Sequence, residues 1–349
     1  MKFSKALTVA GGLVAVSMLF TACAAAPSNV AQAAKSHYLP CMVANTGGLN
    51  DKGFNEGAAD GVKSAAKTLG AQQKIVESAQ ESDYQSNLTA LTDSGCNIMV
   101  TVGFQLAEAT KASATANPKI DYAIVDDSSI KLRNVKPISF ETQQASFLAG
   151  YAAASYSRSH VIGTFGGIQI PPVTAFMDGF VSGVSYYNKQ KNANVRVVGW
   201  NRGSQTGSFT GGFAANETAK STAQSIIDQG ADVLFPVGGP IYQSAGQAIR
   251  DSGKSIALIG VDTDVYKTDP SVSNLLLTSV LKGIAVGVED IVATAGKGKF
   301  NAEPFVGTLK NGGVSIAPFH DFENKVSPDL AGELAKVKQG IIDGSISVG

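Results

Sequence analysis

The polar segment spanning residues 47–56 offers several groups that could bind a small molecule. It contains two carboxylates, two carboxamides and one aromatic ring, carried by Asp51, Glu56, Asn50, Asn55 and Phe54. Carboxylates and carboxamides exchange hydrogen bonds with polar ligands, and an aromatic face stacks on a flat ring. The segment has a single basic residue, Lys52, where a phosphate site would need more positive charge. These residue types predict binding of a neutral polar molecule with a flat face.

Comparable groups stand at the ends of other predicted strands. They are Asp126, Gly239, Asp262 and Lys282, each at or just after an apolar run. Because the carboxyl ends of parallel strands meet at one edge of a sheet, we expect these groups to border a common cleft. An aspartate at a strand end is also a common turn residue, so each position taken alone has a structural alternative. Such groups recur at corresponding strand ends in the first and second halves of the chain, and this recurrence favours a binding site.

A second flat face is predicted in the long polar stretch between residues 201 and 216. A loop of this length in a compact domain is usually functional or disordered. Gly211 and Gly212 allow the backbone to bend and to present Phe213 toward the cleft. Phe209 is the alternative ring.

The sequence carries no recognisable catalytic set. Its three histidines are far apart and lack metal-ligand spacing, so we predict neither a metal site nor a cofactor. The Gly253-Lys254-Ser255 sequence resembles the end of a phosphate-binding loop, but Ala248 stands where that motif needs glycine. Lys+Arg and Asp+Glu balance at 28 each, which argues against nucleic acid as a partner. The protein is therefore predicted not to be an enzyme.

An alternating chain of strands and helices must position these groups. The alternation begins near Ser36 and restarts at Val161, which predicts two doubly wound α/β units with parallel sheets. We expect three crossings between the units, near residues 155–160, 278–282 and 308–312. The predicted lobes comprise residues 37–157 with 283–309, and residues 158–281 with 313–349.

The amino terminus has the parts of an export signal. A basic start precedes a short, mostly apolar run, and small residues then lead to Cys23, an arrangement that resembles a bacterial lipoprotein signal. We predict a signal peptide over residues 1–22, acylation of Cys23 as a membrane anchor, and a flexible tether over residues 23–36. The alternative is an ordinary cleaved signal in which this cysteine is incidental.

The other two cysteines lie in predicted strands. Cys41 is in the first strand and Cys96 opens the third, and these strands can be neighbours in a doubly wound sheet. An exported protein meets oxidising conditions, which favours a Cys41–Cys96 disulfide. Two free buried thiols, which behave as small apolar side chains, are the alternative.

Seven short motifs follow one another along the chain. They are GLNDKGFN (48–55), VGF (102–104), AIVDD (123–127), SFLAG (146–150), IGTFGG (162–167), IGVDTD (259–264) and LTSVLK (277–282). In this order they resemble the basic membrane protein family of bacterial lipoproteins, the purine-nucleoside-binding components of ABC transporters. The resemblance implies a periplasmic-binding-protein fold of type I, in which two Rossmann-like lobes, joined by three crossings, close on a ligand.

The resemblance also implies a role for each matching site residue. Phe54 and Phe213 would sandwich a purine, and Asp126 would lie in the same pocket. Contacts to the edges of the base would come from Asn50, Asp51 and Asn55. The ribose hydroxyls would bind Asp262 and Lys282, since a carboxylate can accept hydrogen bonds from two hydroxyls.

Several carboxylates beside one lysine should repel a phosphate, which predicts a nucleoside rather than a nucleotide. The implied protein is a lipid-anchored monomer on the extracytoplasmic face of the membrane. It would bind adenosine, guanosine or inosine and deliver it to an ABC permease. The alternatives are the same fold binding a sugar or signalling molecule, and a surface lipoprotein used for adhesion or antigenic display.

Overall fold

The computed structural model describes residues 37–349, and the predicted signal peptide (1–22), Cys23 and the tether (23–36) lie outside these residues. The strands are β1 (Pro40–Val43), β2 (Lys74–Val76), β3 (Ile98–Val102), β4 (Asp121–Val125), β5 (Val135–Phe140), β6 (Val161–Gly166), β7 (Arg196–Val198), β8 (Trp200–Asn201), β9 (Thr206–Gly207), β10 (Val233–Val237), β11 (Ala257–Asp262), β12 (Leu276–Lys282), β13 (Phe305–Gly307) and β14 (Val314–Ile316). The α-helices are α1 (Phe54–Leu69), α2 (Asp83–Asp93), α3 (Ala107–Ala116), α4 (Thr142–Tyr156), α5 (Pro171–Lys191), α6 (Glu217–Asp228), α7 (Ile241–Ser252), α8 (Val265–Thr268), α9 (Ile284–Gly296) and α10 (Leu330–Asp343).

Two sheets form the centres of two lobes. Lobe 1 is built on the sheet β13-β5-β4-β3-β1-β2, whose neighbouring strands are all parallel. Lobe 2 is built on β14-β12-β11-β10-β6-β7, which is parallel except for the antiparallel pair β12 and β14. Each sheet therefore repeats one doubly wound order and takes its outermost strand from the last part of the chain. This arrangement confirms the predicted α/β architecture with two Rossmann-like lobes.

The chain crosses between the lobes three times, and the first crossing lies earlier than predicted. It falls at Glu141, between β5 and α4, and not at residues 155–160. Helix α4 belongs to lobe 2, where it packs on α5 and on β12 and β14. The other two crossings lie at Gly283 and between β13 and β14, close to their predicted positions.

Glycine residues allow α4 to pack closely on α5 of lobe 2. A Cβ on Gly150 of α4 would lie 2.1 Å from the carbonyl oxygen of Phe180, and one on Gly183 of α5 would lie 2.0 Å from that of Phe147. The two helices approach this closely only because these positions have no side chain. Lobe 1 uses the same device, since a Cβ on Gly61 of α1 would lie 2.5 Å from the carbonyl oxygen of Ala285 in α9.

A disulfide joins Cys41 in β1 to Cys96, which precedes β3. Strands β1 and β3 are direct neighbours in the sheet of lobe 1, and both cysteines are buried. The bond lies toward the amino-terminal end of β3, away from the edge where the strands of both lobes end. Within residues 37–349, none of the helices is long and apolar enough to cross a membrane.

Candidate functional site

A cavity lies where the carboxyl-terminal ends of the strands of the two lobes face each other. Lobe 1 lines it with residues that follow β1, β3 and β4. Lobe 2 lines it with residues that follow β6, β9 and β10 and with the last residues of β10, β11 and β12. In both sheets the strand order reverses beside the first strand, at β1/β3 and at β6/β10. Open α/β sheets bind ligands at this kind of reversal, so the fold places the cavity where a binding site is expected.

All of the predicted ligand-binding residues except Asn50 line this cavity. They are Asp51, Phe54, Asn55, Asp126, Phe213, Gly239, Asp262 and Lys282. Asn50 is exposed and lies outside the lining, contrary to the prediction. The turn before it is held from the other side, because the backbone N–H of Leu49 donates to the Glu77 carboxylate at 2.7 Å.

Asp51 holds the start of α1 in place. Its carboxylate accepts hydrogen bonds from the backbone N–H groups of Gly53 (3.0 Å), Asn55 (2.7 Å) and Glu56 (3.1 Å). Burial raises the pKa of this carboxyl above its ordinary value, although the three N–H donors act in the opposite direction. Asp51 thus satisfies the free N–H groups at the helix start, which aims the side chains of the first helical turn into the cavity.

Asn55 forms a reciprocal pair with Asn45, a residue that the sequence did not single out. The Asn55 Nδ2 group donates to Asn45 Oδ1 at 2.7 Å, and the Asn45 backbone N–H donates to Asn55 Oδ1 at 3.2 Å. Both side chains are buried in the cavity wall. The position of Asn45, two residues after β1 ends, is the signal that could have identified it.

Lys282 and two aspartates form a buried charged cluster that spans the lobes. Its Nζ lies 2.6 Å from Asp126 Oδ2 of lobe 1 and 3.7 Å from Asp262 Oδ1 of lobe 2. The second distance is too long for a hydrogen bond. Among the described residues, Asp262 Oδ1 has no hydrogen-bond partner, and only 6% of Asp262 is exposed. One acceptor of the cluster is therefore buried and available.

Burial and mutual charge shift the pKa values of this cluster. Burial raises the pKa of the Asp262 carboxyl to about 6, the negative charges of Asp126 and Asp51 add to this, and Lys282 opposes it. Burial would lower the pKa of Lys282, but the adjacent carboxylates of Asp126 and Asp262 outweigh it and hold that pKa above its ordinary value. Asp126 and Asp262 also have left-handed backbones, with φ of 62° and 68°. Such strain in non-glycine residues is concentrated at functional sites.

Aromatic rings enclose the charged cluster from both lobes. The Lys282 Nζ lies 5.1 Å from the centre of the Phe54 ring and 5.0 Å from that of Phe176, within cation–π distance. Phe213 packs over Gly238, where a Cβ would lie 2.7 Å from its ring. The rival Phe209 instead packs edge-on against Trp200 at 5.8 Å and is not part of the lining.

Several lining residues were missed by the sequence reasoning. They are Asn45, Gly103, Phe104, Gln105, Ile170, Pro172, Val173, Phe176 and Val237. Asn45 and residues 103–105 follow a strand and Val237 ends one, as is true of most residues that were identified. Pro172, Val173 and Phe176 are different, because they lie inside α5, where the spacing of Val173 and Phe176 is typical of ordinary core residues.

Comparison with known proteins relates this chain to transport components. A family model described as "ABC transporter substrate-binding protein PnrA-like" matches residues 39–349. The ABC transporter nucleoside-binding protein BmpA of Lactococcus lactis is 29% identical over 331 residues, with 90% of each chain covered. Basic membrane protein A1 of Borrelia garinii is 31% identical over 242 residues, covering 68% of this chain and 67% of that protein.

A solved structure is similar over nearly the same span. The crystal structure of an ABC transporter solute-binding protein from Aeropyrum pernix superposes with a TM-score of 0.79 at 25% identity, covering 89% of this chain and 92% of the other. This superposition covers both lobes, so the whole two-sheet arrangement is shared with a solute-binding protein.

Proposed function

Since the chain belongs to the PnrA-like family of ABC transporter substrate-binding proteins, we propose that it captures a purine nucleoside between its lobes and delivers it to an ABC permease. The observation that carries this proposal is the buried Asp262 oxygen without a hydrogen-bond partner, in the same cavity as the Phe54 and Phe213 rings. That combination supplies a strong acceptor for hydroxyl groups beside faces for a flat ring.

The Asp262 carboxylate suits the paired hydroxyls of a ribose. A buried acceptor without a partner costs free energy, and a ligand hydroxyl that donates to it removes this cost. The Lys282 ammonium, 3.7 Å away, is placed to donate to a hydroxyl oxygen of the same sugar. Hydrogen bonds to charged groups contribute roughly 1.5–3 kcal/mol each, so two of them account for much of the affinity of a small ligand.

The aromatic residues suit the purine. Phe54 comes from lobe 1 and Phe213 from lobe 2, and both line the cavity. Stacking of a base on an aromatic ring contributes roughly 1–3 kcal/mol. Because the two rings belong to different lobes, a base held by both also favours closure of the cleft. The BmpA relative of Lactococcus lactis, named as nucleoside-binding, supports the same ligand class.

The charge of the cavity favours a ligand without phosphate. Asp51, Asp126 and Asp262 are opposed by Lys282 alone among the charged residues of the lining. A nucleotide phosphate would add negative charge beside three carboxyl groups in a site of low dielectric. We therefore infer that nucleosides bind and nucleotides are excluded.

Calorimetric titration with adenosine, guanosine, inosine, AMP and ribose tests the proposed ligand. We expect at least one nucleoside to bind with a dissociation constant of about 1 μM or lower. AMP should bind at least about tenfold more weakly than adenosine, because its phosphate meets the carboxylates. Equal affinity for AMP would contradict the neutral ligand, ribose binding as tightly as a nucleoside would indicate a sugar carrier, and no nucleoside binding would refute the ligand class.

Replacement of Phe54 by alanine should weaken nucleoside binding at least about tenfold, since one stacking face is lost. The half-buried Phe54 is not central to the core, so circular dichroism and the melting temperature should change little. Phe300→Ala is a matched control, because Phe300 is a half-buried ring of the same lobe outside the cavity lining. Unchanged affinity in Phe54→Ala would remove this ring from the site.

The location of the protein follows from the same proposal. We infer that Cys23 carries a lipid that anchors the protein on the extracytoplasmic face of the membrane, which is where a permease would receive the ligand. Mass spectrometry of the mature amino terminus decides this, because an unmodified cysteine, or cleavage at another position, would contradict the anchor.

A further inference from the structure

One hydrogen bond joins the two lobes beside the charged cluster. The Thr263 hydroxyl, after β11 in lobe 2, donates to the backbone carbonyl oxygen of Lys52 in lobe 1 at 2.8 Å. Thr263 is not part of the cavity lining, so its hydroxyl serves the approach of the lobes and not a contact to the ligand.

The position of this bond in the sheets makes it sensitive to opening. The crossings leave from β5 and β12, and the ion pair between Lys282 and Asp126 lies at β12 and at β4, next to β5. Lys52 instead follows β1, three strands from β5, and Thr263 follows β11, the strand beside β12. A rotation that separates these two turns lengthens a contact of only 2.8 Å, so opening the cleft must break the Thr263–Lys52 bond.

The two turns that carry this bond also carry carboxylates of the cavity. Asp262 directly precedes Thr263, and Asp51 directly precedes Lys52. Lys52 and Asp262 both have left-handed backbones, with φ of 59° and 68°. The Thr263 backbone N–H donates to the Val261 carbonyl oxygen at 2.8 Å, which tightens the turn. Because Asp262 and Thr263 are consecutive in this tight turn, a displacement of Asp262 by a ligand also displaces the Thr263 hydroxyl.

The surfaces around the bond are already in close approach. A Cβ on Gly53 would lie 3.6 Å from the Asp262 Cβ and 3.9 Å from the Thr263 hydroxyl oxygen. These are ordinary van der Waals distances for an added methyl group, so the turn of lobe 1 and the turn of lobe 2 lie about one methyl group apart at Gly53.

We propose that Thr263 is a positioning residue that fastens the closed cleft and slows release of the ligand. When a ligand binds Asp262, the adjacent hydrogen bond from the Thr263 side chain to the Lys52 backbone keeps the two lobes together. The affinity part of this inference rests on the proposed nucleoside function.

The test compares Thr263→Val, Thr263→Ser and Thr222→Val in the full chain. Valine keeps the branched shape and removes the hydroxyl, together with its 3.3 Å contact to the Thr268 hydroxyl within lobe 2. Serine restores the hydroxyl, and Thr268→Val, which removes only the contact within lobe 2, should behave as wild type. Thr222 is the matched control, because its hydroxyl donates at 2.8 Å to the Thr218 carbonyl oxygen inside one helix of lobe 2. Stopped-flow measurements give the association and dissociation rates of adenosine, and X-ray scattering gives the radius of gyration without ligand.

We expect adenosine to leave Thr263→Val about three- to tenfold faster than wild type, the effect of one lost hydrogen bond, with association nearly unchanged. Thr263→Ser and Thr222→Val should behave as wild type. A wild-type dissociation rate in Thr263→Val, or an effect confined to association, overturns the proposal. If the wild-type protein binds no nucleoside, the proposed ligand class is refuted on its own. The role of Thr263 is then tested by the radius of gyration from X-ray scattering. A larger radius for Thr263→Val supports the fastening role, and an identical radius refutes it.

Discussion

Asp262→Asn is expected to weaken nucleoside binding by at least about 100-fold while making the ligand-free protein more stable at neutral pH. The loss of affinity follows from the loss of a charged acceptor for two ligand hydroxyls. Asparagine keeps the size of the side chain, but it accepts on one atom only and without charge. Calorimetry with adenosine measures this effect.

The gain in stability follows from the cost of burying the charge. The pKa of Asp262 is raised to about 6 in the folded protein, while an unfolded aspartate has a pKa of about 3.9. Between these values the folded protein binds a proton that the unfolded chain does not, so wild-type stability falls as pH rises through this window. Asparagine does not titrate. The free energy of unfolding of Asp262→Asn should therefore exceed that of wild type by roughly 1–3 kcal/mol above pH 7, and this difference should vanish toward pH 4.

Asp127→Asn is the matched control for both effects. Asp127 is buried at the corresponding strand end of lobe 1, but its carboxylate accepts from the Ser129 backbone N–H (3.0 Å) and hydroxyl (2.8 Å). It lines a neighbouring pocket and not the cavity that contains Asp262. Its replacement should leave affinity unchanged and lower stability. Denaturant unfolding at several pH values gives the comparison. A ligand-free Asp262→Asn protein less stable than wild type at pH 7.5 would refute the charge argument, and unchanged affinity would refute the hydroxyl contact.

Strand ends were the part of the site that the sequence could locate. Asp126, Asp262 and Lys282 each stand where an apolar run stops, and the alternation of strands and helices brings such positions to one edge. The direction of a side chain within a turn is set by local hydrogen bonds, which spacing does not reveal. Asn50 is exposed, whereas the carboxylate of Asp51, one residue later, is buried and accepts hydrogen bonds from backbone N–H groups at the start of α1. Asn45 lies in the cavity wall, where its side chain accepts a hydrogen bond from that of Asn55.

The lobe boundary was misplaced for a related reason. Strand β5 has the sequence VKPISF, in which Lys136 and Pro137 interrupt both an alternating and a continuous apolar pattern. Without that strand, the sequence pattern assigns α4 to lobe 1. Helix α4 packs on α5 of lobe 2 through the close backbone contacts of Gly150 and Gly183. These two glycines lie in different helices, and neither helix sequence alone shows that they meet.

Lys282→Met is expected to lower the free energy of unfolding by about 3–5 kcal/mol at pH 7.5, the usual cost of removing one partner from a buried ion pair. Methionine fills a similar volume but leaves Asp126 and Asp262 buried together without a cation. The loss should shrink as pH falls, because the Asp262 carboxyl, whose pKa burial raises to about 6, can then be protonated in the folded protein. Unfolding in denaturant at pH 7.5 and pH 5 measures this difference.

Lys220→Met is the exposed counterpart. Its Nζ lies 2.7 Å from Asp251 on the surface of lobe 2, where solvent screens the charges, so its loss should change stability little. In the Asp126→Asn background, Lys282→Met should cost clearly less than in wild type, because one of the two carboxylates no longer needs a cation. Equal costs in the two backgrounds would mean that Lys282 stabilises the fold by packing among Phe54, Phe140 and Phe176 and not by charge. If charge dominates, the lysine that ties Asp126 of lobe 1 to Asp262 of lobe 2 also holds the acceptor oxygen of Asp262 ready for a ligand.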